Sequence, residues 1–391
     1  MLAWSSLVLL VVYGGWFVQL GRADYWHGRS FRLEGRDEPA AALAAALQAR
    51  RLDPFLPLRT QRVAMLEARL AYRTNDSDLS QAAMSHYQAA LQQEPILGLD
   101  SANLAGLLWQ QGQASQALDW LQQTIAADDD LLYKINLGYF FEQQGLWPEA
   151  VRAYSRALRQ APAIAGSGFW LATPERVAHW PAIELAASEG APPETAVALA
   201  LAQGEFDKAE SLLGTISGND AFKHAALAEI YLQREQPQLA QPQLASPPVT
   251  AYDYLLLGRS QWQLGQATAE TSLKTAAFLG DRRAYFYLGQ LYEAGGDLTA
   301  AETAYRRGFS AHTTSENVPV TIYGRFGGSD LAPQLLRLGI SPTQAAPWLA
   351  LARLLEDQSR LAEAEQVYRL LLAEDPFLAK AQRGLAVLED R

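Results

Sequence analysis

Leu137-Gly138-Tyr139-Phe140-Phe141-Glu142-Gln143-Gln144-Gly145, followed by Ala150, Tyr154, Ala157-Leu158 and Pro162, is the stretch whose reading decides the fold. It is the second writing of a pattern that begins near Asp100. Leu104, Gly112, Ala117 and Leu121 return as Leu137, Gly145, Ala150 and Tyr154, each 33 residues on. A period in this range, with small residues recurring between large ones, is the mark of two helices and a turn written repeatedly. Gly138 and Ala150 are expected where the two helices of a unit cross, because a larger side chain would push their axes beyond the usual ~8–10 Å. Gly145 is expected to end the first helix in a left-handed conformation, and Pro148 to sit in the first turn of the second, where its missing N–H costs nothing.

These residues resemble the tetratricopeptide repeat, with nearly every position of its pattern of small and large residues filled between Leu137 and Pro162. The resemblance implies an all-α fold, a right-handed α-solenoid of helix-turn-helix units. Leu137, Phe141, Tyr154 and Leu158 have a face to bury and no partner within the unit, so neighbouring repeats must cover them.

Composition narrows the function. The 391-residue chain is 49% hydrophobic and carries a formal charge of −10. That balance, without clustered Lys and Arg, argues against a nucleic-acid surface. With no cysteine, disulfides, thiolate metal sites and cysteine nucleophiles are all excluded.

Leu2 to Leu20 runs 19 residues without a charge, nearly enough to span a ~30 Å hydrocarbon core, and reads as a transmembrane helix rather than a cleaved signal, which would want a basic start. Residues 1–20 are therefore expected to be a single-pass anchor. A first block of repeats follows at 21–162, opening on a degraded unit at Gly28, Phe31, Gly35 and Ala40. The prolines and Gly166-Ser167-Gly168 make 163–193 an irregular junction with short helices. Shorter repeats resume over 194–309, at Leu227, Leu257-Gly258 and Leu288-Gly289, and partly resemble the Sel1-like variant. Four prolines between Gln236 and Pro248 should break one helix there. An irregular insertion is expected over 310–344, and residues 345–391 supply a last repeat with a capping helix.

No catalytic spacing is found. The five histidines, His27, His86, His179, His224 and His312, form no ligand pair, Asp128-Asp129-Asp130 lacks the alternation of a calcium loop, and the glycine-rich run from Gly324 lacks a phosphate-loop ending. No cofactor, metal or enzymatic activity is expected of this chain. A wider resemblance, carried by Leu52-Asp53-Pro54-Phe55, Ala102-Asn103-Leu104 with Leu108-Trp109, and Ala165-Gly166-Ser167-Gly168-Phe169-Trp170, is to the repeat-bearing tails of bacterial O-antigen ligase-like and polymerase-like membrane proteins. It implies a scaffold in surface-polysaccharide assembly, or else the non-catalytic tail of a longer polytopic enzyme. Arg22, Arg29, Arg32 and Arg36 after the span point to a cytoplasmic repeat domain, while the resemblance implies the extracytoplasmic side, toward which we read it.

A protein or peptide partner is the expected ligand. In the repeats the chain resembles, the first helix of each unit lines the concave face, and residues one turn apart on it point into the groove. Those positions hold Trp109, Tyr139, Glu142, Arg259, Trp262, Gln290, Glu293, Arg353 and Glu356. Exposed Trp and Tyr beside Arg and Glu suit an anchoring surface. Trp109 and Trp262 equally suit packing against the next repeat.

Overall fold

The computed structural model describes residues 2–36, 38–95, 98–127, 129–244, 247–313, 342–374 and 378–389, the side chains of 2–14, 132, 309–313, 342–344, 373 and 374 excepted. Every regular element among them is helical. The chain divides into two compact units at Gln144 and Gly145.

The first unit holds α1 (Leu2–Glu34), α2 (Pro39–Leu52), α3 (Pro57–Thr74), α4 (Ser77–Gln93), α5 (Gly98–Gln110), α6 (Ala114–Ala127) and α7 (Leu131–Gln143). They pack as sequential hairpins, α1 on α2, α3 on α4, α5 on α6. The helix α2 shows why: Ala42, Ala45, Ala46 and Ala49 are buried at helical spacing, a mostly small-residue face that lets neighbouring helices approach closely. Ala42, Leu43, Ala46, Val63 and Leu66 form one core, flanked by Leu33, Leu70 and Leu79. Asn75 takes the left-handed conformation that stops α3, and the Asp76 carboxylate accepts from the backbone N–H of Asp78 and Leu79 at 2.9 and 3.1 Å to start α4. The helix α1 runs unbroken through Leu20 to Glu34, and it packs on α2 as the first helix of the first hairpin. Among the described residues no helix is long and apolar enough to cross a membrane, and the side chains of Leu2 to Gly14, over which most of the expected span runs, lie outside them.

The second unit comprises α8 (Trp147–Gln160), two short 3-10 turns (Pro162–Gly166 and Gly168–Leu171), α9 (Pro174–Ser188), α10 (Pro193–Gln203), α11 (Phe206–Leu213), α12 (Asp220–Gln233), α13 (Pro237–Ala240), α14 (Ala251–Gln263), α15 (Ala269–Phe278), α16 (Ala284–Ala294), α17 (Leu298–Thr313), α18 (Pro342–Asp357), α19 (Leu361–Glu374) and α20 (Ala379–Glu389). Ala150, Ala153, Tyr154, Ala157 and Leu158 make one buried stripe on α8. Gly145 has φ of 70°, the left-handed stop its position demands.

The junction after Pro162 holds more order than its prolines and glycines suggest. Pro174 occupies the first turn of α9, Thr173 caps it, and the helix carries Pro181 inside its 15 residues. The Trp170 indole donates to the Ile164 carbonyl at 2.7 Å, and the Arg176 guanidinium lies 3.7 Å from the Phe169 ring centre. Prolines do break α13, which is a single turn followed by a 3-10 turn at Gln241–Gln243. The core of the last repeat is built from Tyr305, Trp348, Leu351, Leu355, Tyr368 and Leu371, and α20 closes it with Ala381, Leu385 and Leu388. The expected insertion from 310, with its glycine-rich run, lies outside the described residues from 314 to 341.

The role expected of glycine at the helix crossing is visible at two later repeats. A Cβ on Gly258 would lie 2.7 Å from Leu273 Cγ, and one on Gly289 would overlap the buried ring of Tyr305. The residue that fills each glycine's space is therefore the large one of the second helix. Gly289→Leu is expected to lower stability by about 1–3 kcal/mol through overpacking, read as a fall in melting temperature. An unchanged melt would show that Tyr305 can move aside at no cost.

Candidate partner-binding surface

The nine positions expected to line a groove fall into both units, and each set is described by itself. In the first unit, Trp109 is half-buried and stacks face to face on Phe140, with ring centres 4.0 Å apart and planes at 5°. Tyr139 is half-buried beside it, and Glu142 is buried.

In the second unit, charges on the first helices pair across repeats, α12 with α14 and α16 with α18. Arg259 on α14 is 5% exposed and meets Glu229 of α12 at 2.5 Å. The same guanidinium lies 4.7 Å from the ring centre of Tyr287 on α16. Burial acts to push the Glu229 carboxyl up, and the charge of Arg259, with hydrogen bonds from Arg259 and Gln233, overcomes it and holds the group below the usual carboxylate range. Tyr252 donates to Glu229 at 3.3 Å and has Arg283 over its ring at 4.7 Å.

Farther along, Glu293 of α16 accepts both from Tyr305 Oη at 2.9 Å and from Arg353 Nη2 of α18 at 2.7 Å. Glu356 accepts from Tyr368 Oη at 2.6 Å. The structure thus brings Glu293 and Arg353 together, and places Arg259 against Glu229, which was not among the nine. Trp262 on α14 and Gln290 on α16 are half-buried.

A repeated glutamate-tyrosine latch was legible in the sequence and was overlooked. Glu293 and Tyr305, like Glu356 and Tyr368, stand 12 residues apart, so each acidic position on a first helix reaches the large residue of its own second helix. Burial carries both tyrosines above their ordinary value, and the hydrogen bond to the carboxylate adds to it. The Glu229–Arg259 pair has no such signal, since its members lie 30 residues apart in different repeats. Among the described residues no group of three or more His, Asp or Glu is arranged to hold a metal.

The family model for the tetratricopeptide repeat matches residues 102–163, 254–311 and 332–379. Those three stretches carry the tetratricopeptide repeat. Solved structures similar to this chain include two that span most of its length. One is a tetratricopeptide repeat protein from Parabacteroides merdae ATCC 43184, 14% identical over 73% of this chain and 99% of that one, with a TM-score of 0.33. The other is yeast Tom70, 10% identical over 94% of this chain and 95% of that one, with a TM-score of 0.35. No curated protein matches the chain, and the likeness to O-antigen ligase-like tails rests on the sequence motifs alone. The ion pairs Glu229–Arg259 and Glu293–Arg353 join first helices of the second unit, α12 to α14 and α16 to α18.

Proposed function

We propose that this chain is a membrane-tethered tetratricopeptide-repeat scaffold that holds a protein or peptide partner on the first-helix row of its second unit. One observation carries the reading. Trp262 and Gln290 stand half-exposed on α14 and α16, one turn from Arg259 and Glu293, which are already held by ion pairs to Glu229 and Arg353. Such a surface is ordered before a partner arrives, so less side-chain freedom is lost on binding. Its charges are balanced internally, which suits a partner recognised by apolar and hydrogen-bonding contact more than by net charge.

The tether is the uncharged stretch Leu2–Leu20, followed by Trp26 and by Arg22 and Arg29 at the level where an interface would lie. A role in surface-polysaccharide assembly, on the extracytoplasmic side, is the finer reading that the motifs at 52–55 and 165–170 support.

A photo-crosslinking residue at Gln290 of the full chain should trap a discrete adduct in cells. Trp262→Ala should weaken that capture by roughly tenfold or more while leaving the melting temperature in place. A large fall in melting temperature would instead assign the ring to the core.

A further inference from the structure

The turn between α2 and α3 places an apolar tip beside the end of the uncharged stretch. Phe55 is 85% exposed, and Pro54 and Leu56 flanking it are exposed as well. Gln19 Nε2 donates to the Leu52 carbonyl at 2.7 Å, which ties this turn to α1 within one helical turn of Trp16, Phe17 and Val18. Those three side chains are also exposed, Phe17 by 65%. Two apolar edges from different parts of the sequence thus lie at one level, where the run Leu2–Leu20 ends.

The polar groups around the tip are arranged to suit a lipid interface. Asp53, the carboxylate nearest the tip in sequence, is turned inward, buried and 3.5 Å from Arg59 Nε. Arg22 on α1 and Arg51 on α2 are exposed. An apolar tip with aromatic rings and outward arginines matches a bilayer interface, where rings sit among headgroups and arginine meets anionic lipid. A soluble partner would account for Phe55 alone. It would not account for Phe55 lying level with the exposed end of an apolar helix.

We propose that the Pro54-Phe55-Leu56 turn is a second membrane contact, seated in the lipid interface next to α1. This rests on reading Leu2–Leu20 as the membrane segment. With two contacts, the first unit would be held in one orientation on the bilayer instead of swivelling on a single helix.

The chain has no cysteine, so a single introduced thiol can report on each site. Phe17→Cys, Phe55→Cys and Tyr72→Cys in the full chain would be labelled with an environment-sensitive fluorophore and reconstituted into phosphatidylcholine–phosphatidylglycerol vesicles. Tyr72 is exposed near the other end of α3, about 22 Å along the helix from Pro57. Labels at 17 and 55 are expected to shift to the blue and be quenched by spin-labelled lipid, and the label at 72 only by aqueous iodide. Lipid quenching at 17 but not at 55 overturns the second contact and leaves the tether standing. Quenching at neither site overturns the tether as well. A label at 55 shielded from both lipid and iodide means that protein covers the turn, and overturns the proposal.

Discussion

Glu229→Ala is expected to cost about 3–5 kcal/mol of stability in the second unit, because it leaves a buried arginine without its counter-charge. The Arg259 side chain is 6% exposed, and its carboxylate partner 17%. Glu229 also accepts from Tyr252 and Gln233, so the substitution removes the acceptor of three donors at once. Burial works against the charge of both residues, and their mutual attraction overrides it in each. A double variant, Glu229→Leu with Arg259→Met, should recover most of the loss, since exchanging a buried pair for apolar side chains of similar volume is often close to neutral. Thermal and urea melts of the single and double variants decide the matter. A single variant as stable as the parent would mean that Arg259 reaches water and that the row is not the rigid surface described above.

The second large effect concerns pH. Asp100 opens α5 with 1% exposure, accepts from Gln61 Nε2 at 2.8 Å through one oxygen, and has no hydrogen bond among the described residues at the other. Burial raises its pKa to about 7, against a smaller opposing effect of the Gln61 hydrogen bond. A carboxyl that binds its proton more tightly when folded contributes stability that is present below about pH 4 and is lost as pH rises through about 7. At about 1.4 kcal/mol for each pKa unit, the loss over that window is on the order of 4 kcal/mol. Asp100→Asn keeps the shape and removes the titration, so its stability relative to the parent should grow steadily from pH 4 to 7. Parallel pH profiles for the two proteins would show that water reaches Asp100.

How far the fold was legible follows from the range of each interaction. The helix-turn-helix period, the stop at Gly145, the cap at Asp76 and the broken helix at Pro237 are decided within a few residues, so propensity, capping and backbone sterics write them directly into the sequence. The glycine of each crossing could be named too, although it is Tyr305, and not the small residue of the second helix, that fills the space at Gly289. The glutamate-tyrosine latch lay within reach, at a constant interval inside a single repeat.

The site was less legible. That Arg259 meets Glu229, and Arg353 meets Glu293 across 60 residues, depends on which faces of successive first helices come to adjoin. The same holds for Gln19, which joins Leu52 and so carries Phe55 to the end of the apolar stretch. A period states that helices will stack. The offset and rotation between them arise from side chains meeting across repeats, and those meetings exist only once the chain has packed.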